Sequence, residues 1–209
     1  MANSNTTLCN QALGRIGAKR INNFEDSADS SPQAIQCRLH FEQTRDALMR
    51  SHWWRFARDR VVLSQDTTDP DFEWDNQFIL PSDMLRARSV FSDTQTRNTR
   101  FSYELEGDRL LTNQSAVNFR YIKKITDPTK FDSLFVEVLV LLLAIKLVGP
   151  LAGANVKLTT ILNQELRPLM KQVRAIDRQE TNTRGKADRN LWNDARFFSG
   201  GRIDSQLGS

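Results

Sequence analysis

LFVEVLVLLLAIKLV, residues 134–148, is the most apolar stretch of the chain, and it decides how the remaining elements must be arranged. Glu137 and Lys146 interrupt it, so its longest unbroken apolar run covers residues 138–145. A helix that spans a membrane needs about 20 apolar residues, and this run is much shorter. The sequence therefore predicts a helix that is buried on all sides in a protein core.

Further helical signals lie on the C-terminal side of this segment. Asp127-Pro128 combines a capping residue with a proline at the first helical position, so we expect the buried helix to open there and to end at Gly149-Pro150. Another helix is predicted over about residues 155–180. Pro168 removes one backbone hydrogen bond inside it, which predicts either a kink or two abutting helices.

Two helices are also predicted on the N-terminal side. Asn5 or Thr6 can cap the first, because apolar residues follow at helical spacing. Ser31 followed by Pro32 is a stronger start signal, and it predicts a second helix that runs to about Trp54.

Between the second and third helices the pattern changes to short β-type runs. Gly107-Asp108 can supply the positive φ of a tight turn, so the runs on either side of it predict a hairpin. Residues 117–121 alternate apolar and polar side chains, so this strand is expected to bury one face. The predicted strands are residues 60–63, 77–80, 86–91, 101–106, 109–112 and 117–123.

This order of elements predicts a mainly α fold. Residues 1–58 and 125–180 are expected to form a bundle of about four helices, with residues 59–124 as a β-rich insertion projecting from one end. Residues 181–209 lack apolar periodicity and are predicted to form an extended C-terminal arm. The arm holds bulky aromatic residues, so we expect it to order on a partner, the alternative being that it folds back on its own domain.

An aromatic cluster follows the second helix. His52, Trp53, Trp54 and Phe56 are predicted to pack at the junction between the bundle and the insertion. His40 lies twelve residues before His52, more than three helical turns away, so the two histidines are not expected to form one site.

Catalytic and metal-binding patterns are weak in this sequence. Glu73 with Asp75, and Glu104 with Glu106, are carboxylate pairs at strand spacing, but solvated strand faces explain them better than the acid and base of a glycosidase. The acidic segment 66–75 lacks the glycine and the final glutamate of a calcium loop. We therefore predict that the protein is not an enzyme and has no catalytic residues, no cofactor and no metal site.

Charge and cysteine content indicate an ordinary interior and surface. The chain has 29 Lys and Arg against 25 Asp and Glu, a surplus too small to indicate a dedicated nucleic-acid module, so arginines 55, 58 and 60 are interpreted as solvated surface.

Cys9 and Cys37 each lie in a predicted helix, and we expect them to be small buried residues in a reducing compartment. A disulfide bond between Cys9 and Cys37 is the alternative to two free thiols.

Phrases spread over residues 6–180 resemble one protein family, the head-to-tail adaptors (tail tubular protein A-like) of short-tailed bacteriophages. They begin with LCNQALGRIGAKRI at residues 8–21, SPQA at 31–34 and RDALMRSHWWRFA at 45–57. Further phrases that resemble the family occur at residues 78–85, 103–112, 121–122, 126–128, 131–132 and 175–180.

The resemblance implies a structural subunit and its partners. It implies a helical bundle with a β insertion, assembled as a ring of twelve copies between the portal protein and the tail nozzle protein of a podovirus. Double-stranded DNA would pass through the ring without sequence-specific binding. The protein would belong to the virion tail, would assemble in the host cytoplasm and would have no membrane partner.

The arm of such adaptors docks on the portal, and here it maps onto the C-terminal residues by position and composition. The expected portal contacts are Arg189, Trp192, Phe197 and Phe198. Two other classes of protein stay open as alternatives: a tail-associated peptidoglycan hydrolase and a helical DNA-binding module.

Overall fold

The computed structural model describes residues 3–92, 101–153 and 155–180, with side chains described through residue 176. Helices account for 47% and strands for 19% of the residues that the structure describes, and the strands form two three-stranded antiparallel sheets. The prediction of a mainly α bundle is therefore wrong, because the fold is mixed α/β. The expected arm lies outside the described residues, and one compact unit spans Met1–Asp177.

Four α-helices occur in the described residues, and side chains cap the first two. Ser4, rather than the expected Asn5 or Thr6, accepts a hydrogen bond from the Thr7 backbone and starts the first helix. Ser31 accepts one from the Ala34 backbone, as its position before Pro32 predicts. The helices are α1 (Asn5–Arg15), α2 (Pro32–Ser51), α3 (Ser133–Leu151) and α4 (Val156–Glu180).

The buried helix α3 differs from its prediction at both ends. Asp127-Pro128 opens only a 3₁₀ turn, Pro128–Lys130, and the helix itself begins after Asp132, whose carboxylate accepts hydrogen bonds from the next turn. Its C-terminus passes Gly149-Pro150 and stops before Gly153, which has a φ of 63°. A glycine in the left-handed region ends a helix more effectively than a glycine with helical dihedrals.

By length and composition alone, α3 could cross a membrane, although the core helix of a globular protein passes the same test. Here its buried side chains pack against α1 and α2 in the helical core. The helix α4 continues through Pro168 as one element, so of the two expected outcomes, a kink or two abutting helices, a kink is the one that stays a prediction.

Six strands are described, and the predicted hairpin is confirmed. Gly107, with a φ of 56°, lies in the turn that joins the fourth and fifth strands. The strands are β1 (Arg58–Val62), β2 (Asn76–Ile79), β3 (Met84–Phe91), β4 (Tyr103–Glu106), β5 (Arg109–Thr112) and β6 (Asn118–Lys123). Sheet 1 has the strand order β1-β6-β3, and sheet 2 has the order β2-β5-β4.

Sheet 1 contributes side chains to two hydrophobic cores. On one face of β6, Phe119 and Tyr121 join a core shared with Phe78 and Leu110 of sheet 2. On the other face, Ile122 is fully buried among the helices. The β segment is therefore a two-sheet module, and its sheet 1 also contributes Ile122 to the helical core.

Candidate functional site

Three of the four predicted junction residues belong to the helical side of the interface. Trp54 is 2% exposed, its indole N–H donates to the Leu48 carbonyl at 2.9 Å, and its ring meets Phe135 of α3 edge to face at 5.0 Å. Phe56 packs against the same Phe135 ring at 5.0 Å, and His52 lies 5.2 Å from Trp54. These residues fix the end of α2 on α3 through aromatic contacts.

Trp53, the remaining junction residue, contacts sheet 1. The guanidinium of Arg86 on β3 lies 4.3 Å from the Trp53 ring centroid, and that of Arg88 lies 5.5 Å away. The Trp53 carbonyl accepts a hydrogen bond of 2.9 Å from Nε of Arg58 on β1. Cation–π contacts and a charged hydrogen bond therefore join the helix α2 to two strands through one residue.

A charged network joins Asp59 on β1 and Lys123 on β6 to Asp83, which precedes β3. Nζ of Lys123 lies 3.2 Å from carboxylate oxygens of both Asp59 and Asp83, and the hydrogen bonds raise the pKa of the lysine. The Tyr121 hydroxyl donates to Asp83 at 3.1 Å. Burial, together with the Asp83 carboxylate, raises the pKa of Tyr121 to about 12. This network stabilises the neutral phenol and the charged lysine.

A second network joins α2 to the end of β6. Nε of Arg45, a residue that is 2% exposed, donates to the Asp46 carboxylate at 2.8 Å, and Nζ of Lys124 lies 3.0 Å from the same group. Burial alone would raise the pKa of Asp46, but the hydrogen bonds from Arg45 and Lys124 outweigh it and hold the pKa below its usual range. Both cations therefore stabilise the ionised carboxylate.

The two carboxylate pairs noted in the sequence lie on β4 and in the loop before β2. Glu104 and Glu106 are exposed on β4. Glu73 has a φ of 71° and occupies the centre of a tight turn in which the Trp74 N–H donates to the Phe72 carbonyl at 2.9 Å. Glu73 and Glu106 line one groove of about 310 Å³. The structure thus brings together two acids that sequence spacing had placed in different pairs.

The two cysteines are free and buried in the helical core. The hydrogen bond between the two thiols, reinforced by burial, raises the pKa of Cys9. In the part of the chain that the structure describes, no group of three or more His, Cys, Asp or Glu residues is arranged to hold a metal ion.

Sequence reasoning missed the arginines of sheet 1, which it treated as solvated surface. The available signal was the repetition of arginine at period two in Arg58 and Arg60, since this spacing places side chains on one face of a strand. Arg86 and Arg88 repeat the spacing, but the register of β3 shifts between Ala87 and Ser89. The expected portal contacts, Arg189, Trp192, Phe197 and Phe198, fall outside the described residues.

Comparison with known proteins adds no further assignment. No protein-family model matches this chain, and no curated protein matches it in sequence. A functional interpretation therefore depends on the residues themselves and on the family resemblance of the sequence segments given above.

Proposed function

We propose that this protein is a structural adaptor of a podovirus tail, a ring subunit that connects the portal to the tail nozzle and surrounds the DNA channel. The observation that carries the proposal is the resemblance of residues 8–21, 31–34 and 45–57 to the head-to-tail adaptor family. Partners, ring number and location in the virion all belong to this proposal.

The positions of these phrases support it. The first supplies the α1 residues buried against α3, the second provides Ser31 and Pro32 at the start of α2, and the third contains the whole aromatic junction. The resemblance therefore covers the residues that determine the scaffold. A rigid scaffold in which α2, α3 and sheet 1 are fixed to one another suits a subunit that transmits assembly contacts between two larger rings.

The direct test is binding to the portal protein encoded by the same phage genome. Purified full-length protein is mixed with assembled portal, and the mass of the complex is measured by native mass spectrometry. We expect a complex with one adaptor per portal subunit. Recovery of portal alone, from a mixture in which both proteins are folded, would refute the proposal.

The groove that holds Glu73 and Glu106 gives the peptidoglycan-hydrolase alternative its own test. Under the adaptor proposal, the wild-type protein does not clear peptidoglycan in a zymogram. Clearing that is lost in Glu106→Gln but kept in Glu42→Gln, a matched change of an exposed acid on α2, would instead establish the hydrolase.

A further inference from the structure

A groove lies where side chains of α2, α3 and α4 meet, and its volume is about 330 Å³. Leu48 is buried, while the other leucines and the methionine that line the groove are half-buried and leave part of their surface in water. An apolar depression that is open to solvent gains free energy when an apolar side chain fills it. We call it the helical groove, with the apolar lining Leu48, Leu142, Leu166 and Met170.

The hydroxyl protons of this groove are already used within α2. The Thr44 hydroxyl donates to the His40 carbonyl at 2.6 Å, and the Ser51 hydroxyl donates to the Leu48 carbonyl at 2.8 Å. The helical groove therefore offers apolar contact rather than a set of convergent polar groups that would orient a small polar ligand.

Two cations also line the helical groove. Lys146 on α3 and Arg174 on α4 are both exposed. Neither has a carboxylate partner within the described residues, whereas Arg15 on α1 is paired with Glu165 at 2.7 Å. The charges of Lys146 and Arg174 are therefore available to an anionic partner. The groove thus suits an apolar side chain that has acidic neighbours.

The chain itself contains a segment of this chemistry in the loop before β2. Phe72 is 79% exposed and lies between the exposed acids Asp71 and Glu73, with Asp69 close by in the same loop. In the part of the chain that the structure describes, none of these three acids forms an ion pair. Residues 69–73 are called the acidic loop below.

Hydrogen bonds restrain the acidic loop on both sides of Phe72. On one side, Nε2 of Gln77 donates to the Thr68 carbonyl at 2.7 Å. On the other side, the Trp74 N–H donates to the Phe72 carbonyl at 2.9 Å and closes the tight turn. A loop that is already restrained loses less conformational freedom on docking than a free segment does. The acidic loop is therefore preorganised to present Phe72 to a partner.

We propose that Phe72 of one copy inserts into the helical groove of the next copy, with the acids of its loop beside Lys146 and Arg174. Such a heterologous contact uses different patches on the two copies and closes into a ring if the rotation between them allows it. The aromatic ring supplies the desolvated centre, and the complementary charges set its orientation. The inference rests on the proposed ring function, for which it names a subunit contact.

Charge and exposure together favour a second copy as the occupant of the groove. The rim of the helical groove is positive and the acidic loop is negative, so the two attract each other. Phe72 is exposed in its own chain, so it does not fill the groove of that chain. Every copy therefore carries one loop to insert and one groove to receive the loop of a neighbour.

The apolar part of the contact is tested by Phe72→Ala in the full-length chain. Self-association is measured by sedimentation velocity at rising protein concentration and low ionic strength. We expect the dissociation constant to rise at least about tenfold, because an aromatic anchor is lost. The matched control is Val156→Ala, which truncates another apolar side chain that is 76% exposed and should leave association unchanged.

The charges are tested by an exchange between groove and loop. One variant carries Lys146→Glu with Arg174→Glu, and the other carries Asp69→Lys with Asp71→Lys. Each variant alone brings like charges together and should associate at least about tenfold more weakly than the wild type. An equimolar mixture should regain association, because the reversed loop then meets the reversed groove and the original loop meets the original groove.

A control for the exchange is Arg20→Glu with Lys157→Glu, which reverses one exposed arginine and one exposed lysine outside the groove and should leave association unchanged. Circular dichroism checks that each variant is folded. If charge reversal on α3 or α4 unfolds the protein, Phe72→Ala decides the question, since its exposed ring does not support the core.

A photocrosslink locates the contact. p-Benzoylphenylalanine replaces Phe72 in one preparation, which is mixed with wild-type protein labelled with ¹⁵N and irradiated. We expect labelled peptides that contain residues of the helical groove to be joined to position 72, and the label shows that the contact is between two copies.

The inference would be overturned by a wild type that stays monomeric at every concentration, by folded variants that associate like the wild type, or by a mixture that does not recover. Cross-links from position 72 to another part of the second copy would also overturn it. Loss of portal binding in the groove variant, with self-association intact, would assign the helical groove to the portal instead.

Portal binding of the wild type is scored separately. A wild type that self-associates through Phe72 and the helical groove but does not bind the portal would refute the proposed function and leave the subunit contact standing.

Discussion

The Trp54 and Phe135 rings meet edge to face at a centroid distance of 5.0 Å and an interplanar angle of 87°, and this contact fixes the end of α2 on the buried helix α3. The indole N–H turns back to the Leu48 carbonyl at 2.9 Å, which satisfies the polar atom that the burial of tryptophan would otherwise leave unpaired. The Trp54 side chain thus holds the C-terminal end of α2, joins α2 to α3 and comes shortly before β1 in the chain.

Trp54→Ala should therefore destabilise the protein by about 3–5 kcal/mol, because it opens a large cavity in the core. Urea unfolding monitored by circular dichroism measures the change. Trp53→Ala, at the half-buried neighbour, is the matched control and should cost less, since it removes surface stacking with arginines. Equal stability of Trp54→Ala and the wild type would show that the ring does not support the core.

How far the sequence predicts this fold depends on the range of the interactions. The Ser31 cap, the Gly107 turn and the helical nature of residues 134–148 could be predicted because each depends on neighbours along the chain. The mixed α/β fold class could not be predicted from such local signals. Alternation at 117–121 indicates one buried face, whereas Ile122 is buried on the other face by α-helices distant in sequence. Such a tertiary contact leaves no local pattern.

The buried thiols give a prediction about reactivity. Cys9 and Cys37 should react with a thiol reagent such as DTNB only as fast as the core opens, because they are inaccessible and the pKa of Cys9 is raised. Adding urea should accelerate the reaction in parallel with unfolding. An added exposed thiol, Ser82→Cys, serves as the control and should react at once. Immediate reaction of the two native cysteines in the folded protein would contradict their placement.

Tyr121 gives a prediction for alkaline pH. Its pKa is raised to about 12 in the folded protein, against an ordinary value of about 10 in an unfolded chain. The folded state therefore holds the phenolic proton more tightly. Its contribution to stability is complete below about pH 10 and is lost as the pH rises toward 12.

Ultraviolet titration of the phenolate in a Tyr103→Phe background measures this directly, because the chain has two tyrosines. Tyr121 should ionise near pH 12, and Asp83→Asn, which removes one of the groups that raise its pKa, should shift the transition downward. In Tyr121→Phe, the fall in unfolding free energy over this pH range should be smaller than in the wild type. A wild-type phenolate transition near pH 10 would contradict the buried network.

The sequence predicts only part of the candidate site, because some of its contacts join residues that are distant in the chain. The aromatic junction was visible because large rings cluster within five positions of the sequence. The pairing of Arg60 with Arg120 was not visible, since these residues lie sixty positions apart in the chain and are opposite each other only through the register of β1 with β6. Glu73 and Glu106 likewise reach one groove only because a loop folds over sheet 2.

Under this proposal, the C-terminal arm is needed for binding to the portal but not for folding. Among the side chains that the structure describes, Val173 is the last buried residue of the helical core, so deletion of residues 181–209 should leave the fold and its melting temperature unchanged. The same deletion should abolish portal binding, because an arm that orders on a partner supplies the anchoring side chains.

Single substitutions refine this prediction. Trp192→Ala should weaken binding to the cognate portal by about 2 kcal/mol or more, since aromatic anchors in pockets dominate interface energies. Arg196→Ala, a change at the polar rim, should matter less and serves as the matched control. Surface plasmon resonance on immobilised portal compares the three forms with the wild type. Undiminished binding of the truncated chain would move the portal contact onto Met1–Asp177 and would exclude Arg189, Trp192, Phe197 and Phe198 as its contact residues.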